Sequence, residues 1–136
     1  MNCVQRIFLG LAVALLMVGS AAAADPSYKR KRALFDDMGR LRVQNLIALT
    51  ALDKQAAHSK AWEATASAVS KEFGESHACT KVAQFAKASW IHMVFAALKP
   101  TTQDIAAAGS FGYQAGEWAT NCYDEIEKLD TPMARR

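Results

Sequence analysis

Cys79 and Cys122 are the residues whose type and spacing most clearly predict chemistry, namely the formation of a disulfide bond. A turn is expected at residues 99–102, and each cysteine lies 21.5 residues from its centre (100.5 − 79 and 122 − 100.5). If two antiparallel helices leave that turn, a rise of about 1.5 Å per residue places both cysteines about 32 Å from it. The cysteines then lie level with each other, and a disulfide between them requires no distortion. The alternative is two free buried thiols.

The three histidines do not form a metal site in the sequence. Of His58, His77 and His92, only His77 has a cysteine nearby, Cys79, and a disulfide-bonded cysteine cannot bind a metal. The covalent haem motif Cys-x-x-Cys-His does not occur, and residues 101–136 contain no histidine that could complete a bundle-type haem site. Met38 with His92 is the remaining haem-ligand alternative. The sequence therefore predicts no metal and no cofactor.

No catalytic residue is predicted either. The chain has no Gly-x-Ser-x-Gly motif and no phosphate-binding loop. Four carboxylates, Asp124, Glu125, Glu127 and Asp130, cluster near the C-terminus. Pairing of this cluster with Arg40 or Arg42 is favoured over acid–base catalysis, and the chain is not expected to be an enzyme.

The first 24 residues have the order of a secretory signal: a short basic lead, an apolar run from Ile7 to Val18, and small residues up to Ala24. Cleavage before Asp25, or one residue earlier, would release residues 25–136 as a single domain in the periplasm. The alternative is an uncleaved membrane anchor, because residues 7–24 carry no charge and a basic cluster follows them. The alanine-rich end favours cleavage, after which no stable membrane insertion is expected.

Charge is distributed unevenly along the predicted domain. Removing Arg6 with the signal leaves 15 basic residues (16 − 1) against 13 acidic ones, a net charge of +2. Residues 25–60 hold eight basic and four acidic residues, whereas residues 101–130 hold six acids and one lysine. Two oppositely charged helices lying side by side account for this, and a docking surface for a charged partner is the alternative. One aromatic beside the basic cluster makes nucleic acid a poor candidate.

Hydrophobic periodicity predicts an all-α fold, a small up-and-down bundle of about four helices. The first helix is expected from near Ser27, a possible cap, to about Ala57. Its apolar stripe is Leu34, Met38, Leu41, Leu46, Leu49 and Leu52. The second is expected after a cap at Ser59, with Trp62, Ala66, Val69 and Phe73 on one face and Gly74 at its end. Whether residues 28–73 form one bent helix or two is left open.

The third and fourth helices are predicted on either side of Pro100, which cannot continue a helix. Ser76 is the expected cap of the third, and Thr101 or Thr102 that of the fourth. The fourth stripe runs from Ile105 through Ala115 and Cys122 to Leu129. Gly109, Gly112 and Gly116 lie on one side of this helix, where a neighbouring helix could approach closely or the ring of Trp62 or Trp90 could cross. A loop over residues 109–116 is the alternative.

These features predict an exported periplasmic protein that binds another envelope or periplasmic protein, as an inhibitor, immunity protein or chaperone does. The charged ends or an exposed aromatic would form the contact. Two alternatives are a small-molecule or haem carrier that uses the bundle interior, and an accessory subunit of an envelope secretion or transfer system.

Overall fold

A computed structural model describes residues 25–131, so the predicted signal peptide at residues 1–24 and the last five residues lie outside the described part. Four helices follow one another: α1 Tyr28–Ala48, α2 Leu52–Phe73, α3 Ala78–Leu98 and α4 Thr102–Asp130. Adjacent helices pack along the chain, α4 returns to α1, and α1 also contacts α3. The predicted all-α bundle is confirmed.

The break between the first two helices lies earlier than predicted. α1 ends at Ala48 and the chain is extended at Ala51, with φ −154° and ψ 147°, so Ser59 is inside α2 and caps nothing. Side chains replace the lost helical bonds: Thr50 Oγ1 donates to the Ile47 carbonyl at 2.8 Å, and Gln55 Nε2 donates to the Leu49 carbonyl at 3.1 Å. Leu49, Ala51 and Leu52 are good helix formers and only Thr50 is a weak one, so propensity marks this turn weakly.

Besides Ser59, four caps were predicted: Thr101 and Gly74 are confirmed, Ser76 is wrong, and Ser27 has the predicted N-cap position without a side-chain cap bond. Thr101 Oγ1 accepts from the Asp104 amide at 3.0 Å, and Gly74 ends α2 with a φ of +88° that favours glycine. His77, not Ser76, caps α3: its Nδ1 accepts from the Cys79 amide at 3.1 Å. Ser27 occupies the N-cap position of α1, but its hydroxyl accepts no bond from a helix amide and instead donates to Asp25 Oδ1 at 2.6 Å.

Tryptophan rings fill the centre of the bundle. Trp62 from α2 and Trp90 from α3 are fully buried, together with Met38 from α1 and Ile126 from α4. Phe73 was expected in the core with Trp62 but is only partly buried against it. Aromatic side chains bury about 150–250 Å² each, so these two indoles contribute much of the apolar burial in so small a domain.

Helix α4 is continuous through its three glycines, as predicted. Trp62 and Trp90 do not cross the glycine side; Ser89 Oγ would lie 3.3 Å from a Cβ at Gly112, and an Arg42 guanidinium nitrogen 3.8 Å from one at Gly116. Ser89 Oγ also donates to the Ala108 carbonyl at 2.8 Å. The missing side chains therefore let α3 and α1 place polar groups against the α4 backbone.

Candidate binding surface at the apolar end of the bundle

The predicted disulfide joins α3 to α4. The Cys79 and Cys122 sulfurs are 2.08 Å apart, their Cα atoms are 4.7 Å apart, and both residues are fully buried. The hairpin register deduced from the turn at Pro100 is therefore confirmed. The disulfide lies at the end of the bundle opposite that turn, where the α2–α3 connection also lies.

The end that contains the disulfide is rich in charge and is here called the charged end. Arg32 Nη1 from α1 lies 2.5 Å from Glu127 Oε1 on α4, and the Arg32 guanidinium also stacks over the Tyr123 ring at 5.1 Å. His77 Nε2 lies 2.6 Å from Glu125 Oε2. The basic start and the acidic end of the domain thus attract each other, as the charge distribution predicted.

The predicted partners of the acidic cluster, Arg40 and Arg42, are wrong. Arg40 pairs with Asp37 on its own helix at 2.7 Å, and Arg42 donates to the Gly112 carbonyl at 3.4 Å. Helices α1 and α4 are antiparallel, so the acidic last turns of α4 meet the first turns of α1, where Arg32 lies. Arg40 and Arg42 are two or more turns too far along α1.

The three histidines have different contacts and do not form a common site. His77 caps α3, His92 Nδ1 lies 2.9 Å from Asp104 Oδ1, and His58 is buried between α1 and α2. Within residues 25–131 no group of three or more potential metal-ligating side chains lies close enough together to hold an ion. No described pairing brings Met38 to His92.

Asn45 organises a buried polar cluster where α1, α2 and α3 meet. Its Oδ1 accepts from Trp62 Nε1 at 3.1 Å and contacts His58 Nε2 at 2.8 Å, while its amide nitrogen lies 3.8 Å from Met93 Sδ. Because an indole N–H only donates, the shared oxygen must be the acceptor, and neutral His58 carries its proton on Nε2. Burial lowers the pKa of His58 and so favours this neutral form.

The opposite end of the bundle exposes a set of large apolar side chains. In an up-and-down bundle the α1–α2 and α3–α4 turns lie at the same end, and the Asn45–Met93 contact is consistent with this. Seven large apolar side chains at this end are more than half exposed. They are Val43, Leu46, Ile47, Leu52, Phe95, Leu98 and Ile105, and we call this set the apolar end.

Three members of the apolar end, Leu46, Leu52 and Ile105, had been expected on buried stripes. Leu46 and Leu52 are 73% and 72% exposed, and Ile105 is 59% exposed. All three lie within a turn or two of a helix end, where no neighbouring helix extends far enough to cover them. Periodicity records which face a residue occupies but not how far along the bundle the neighbouring helix reaches, so the sequence could not reveal their exposure.

The sequence does contain one sign of this surface: three segments without charged residues. No Asp, Glu, Lys or Arg occurs at residues 43–52, 88–98 or 105–116. The fold brings these three segments to the same half of the bundle. Taken alone, each segment has the composition of a buried helix. Which of its residues remain exposed depends on where the neighbouring helices end.

None of the helices between residues 25 and 131 is both long enough and apolar enough to cross a membrane. Comparisons of the chain with protein-family models, curated proteins and solved structures find no significant match.

Proposed function

We propose that this chain is an exported periplasmic protein that binds another envelope protein through the apolar end of its bundle, without performing catalysis. The observation that carries the proposal is the set of seven exposed apolar side chains at one end, beside three charge-free segments. Single exposed leucines are normal in soluble proteins, whereas several large exposed apolar side chains gathered at one end of a fold are typical of an interaction site.

The residues around the apolar end support protein binding. Interface cores are depleted of charge and surrounded by a polar rim. Arg40, Lys54, Lys99 and Asp53 lie next to the apolar end and would form such a rim. The carrier alternative has less support, because the indoles of Trp62 and Trp90 occupy the interior that a ligand would need.

The proposal is tested with Leu46→Gln/Leu98→Gln, which adds amides to the apolar end without touching the buried core. Because both residues are largely exposed, the free energy of unfolding should change by less than about 1 kcal/mol. Cells are cross-linked in vivo and the periplasmic fraction is then analysed. The wild type should form a cross-linked complex whose amount falls at least tenfold in the variant. The intact mass of that wild-type material should correspond to a chain that starts at Ala24 or Asp25.

Tyr113→Gln is the control, because Tyr113 is similarly exposed but lies eight residues, about 12 Å, beyond Ile105 along α4, where its hydroxyl donates to Glu117 Oε1. It should retain the complex. A double variant that cross-links like the wild type, or a control that loses the complex to the same extent, would contradict binding through the apolar end.

A further inference from the structure

A groove between α1 and α2 runs from the apolar end toward the middle of the bundle. Its volume is about 390 Å³ and it is open to solvent. Its apolar lining is formed by Leu41, Ile47, Ala48, Ala57 and Ala61. Ile47 belongs to both surfaces, so the groove is continuous with the apolar end.

The shape of this α1–α2 groove suits a helix better than an extended chain. Alanine at three of its lining positions leaves room for an incoming side chain to approach the backbones of both helices. Both walls are helical, so they offer few free backbone groups to an added β-strand, whose affinity depends on main-chain hydrogen bonds. An amphipathic helix needs only an apolar channel for one face.

Charge selects between possible helices. The two charged residues that line the groove, Arg40 and Lys54, are both basic, and no carboxylate lines it. Arg40 pairs with Asp37, but both side chains are about half exposed, and an exposed ion pair of this kind is worth only about 0–1 kcal/mol. An incoming carboxylate can therefore compete for Arg40. The buried His58 closes the floor beside these positions.

We propose that the α1–α2 groove binds an amphipathic helix of the partner protein, one whose apolar stripe is flanked by aspartate or glutamate. This inference rests on the proposed function, since it assigns the partner segment that would continue from the apolar end into the groove. The apolar stripe supplies contact area, and the acidic flanks supply charge complementarity with Arg40 and Lys54.

The probe is a synthetic fluorescent helix with a leucine stripe and glutamate on both flanks. Two matched peptides accompany it: the same stripe with lysine flanks, and a scrambled glutamate peptide of identical composition. At an ionic strength of about 0.15 M, the glutamate-flanked helix should bind the purified mature chain at least tenfold more tightly than either control. Arg40→Gln/Lys54→Gln should reduce that affinity about tenfold, and Lys29→Gln/Lys71→Gln, which removes the same charge from the other end, should leave it unchanged.

The outcomes separate this inference from the proposed function. If the peptides bind equally, or if the Arg40/Lys54 variant binds like the wild type, the groove assignment is overturned. Should that variant also retain the native cross-linked complex that Leu46→Gln/Leu98→Gln loses, binding at the apolar end stands without the groove. Salt-sensitive binding to phosphatidylglycerol vesicles with no preference among peptides would likewise overturn it, by assigning the basic rim to a lipid surface.

Discussion

At the scale of single residues, Asn45 links three helices through one side chain. One carboxamide oxygen accepts from α2 through both His58 and Trp62, and the amide nitrogen reaches Met93 on α3. In the sequence Asn45 only interrupts an apolar stripe. Its function in packing emerges from the crossing of three helices, which periodicity does not encode. A buried acceptor shared by two ring donors also fixes which tautomer of His58 is compatible with the fold.

The pH dependence of stability should reveal His58. Its pKa is lowered by burial, so between that lowered value and the value of about 6.5 for an exposed imidazole, the unfolded chain binds a proton that the folded chain does not. The contribution of neutral His58 is therefore complete above pH about 6.5 and declines as the pH falls toward the lowered pKa. Urea titrations from pH 7.5 to 5 should show the free energy of unfolding falling in this window.

His58→Gln provides the comparison, because a glutamine amide can still donate to Asn45 Oδ1 but does not titrate. His77 and His92 are unchanged in this variant, so the difference between the two pH profiles isolates His58. Parallel profiles for wild type and variant would mean that burial does not influence the protonation of this imidazole.

At the scale of the helices, the sequence predicted the elements better than their ends. Periodicity and Pro100 were sufficient for α3 and α4, and the matched distances of Cys79 and Cys122 from the turn correctly predicted their register. The α1–α2 break was misplaced because residues 49–54 contain no Gly or Pro and only weak helix breakers. The turn is instead stabilised by side-chain bonds from Thr50 and Gln55. The apolar end was not predicted as a surface, since three of its residues, Leu46, Leu52 and Ile105, lie on stripes whose periodicity indicated burial.

The glycines of α4 offer a matched pair of substitutions. At Gly109 an added Cβ meets nothing within 4 Å, so Gly109→Ala should stabilise the helix by about 0.5–1 kcal/mol. At Gly112 an added Cβ would lie 3.3 Å from Ser89 Oγ, which donates to the Ala108 carbonyl. Gly112→Ala should therefore gain less than Gly109→Ala, or destabilise the protein, in thermal unfolding followed by circular dichroism. Equal stabilisation by both alanines would show that Ser89 moves aside without cost.

At the scale of the whole molecule, large exposed apolar side chains gather at one end of the bundle, and the ion pair between α1 and α4 lies at the other. Ion pairs and the disulfide fasten the charged end, where the first turns of α1 and the last turns of α4 meet. The half that contains the apolar end is held by the short α1–α2 and α3–α4 connections, by the buried Asn45 cluster, and by the His92–Asp104 and Ser89–Ala108 contacts between α3 and α4. The disulfide and the ion pairs of the charged end lie far from the proposed binding surface. A partner could therefore occupy that surface without disturbing them.

The disulfide is expected to be the largest single stabilising feature of the charged end. It closes a loop with a sequence separation of 43 residues, and the chain-entropy model gives about 4 kcal/mol for a loop of that size. Cys79→Ser/Cys122→Ser should therefore lower the free energy of unfolding by several kcal/mol in urea titration. Helicity at low temperature should remain, because the Trp62 and Trp90 core is independent of the sulfur bond.

Binding through the apolar end should also persist in the fraction of molecules that stay folded, since that surface lies at the other end of the bundle. A double serine variant that unfolds at the same urea concentration as the oxidised wild type would show that packing alone holds α3 and α4 together at this end. Complete loss of helicity at low temperature would instead show that the core cannot form without the bond.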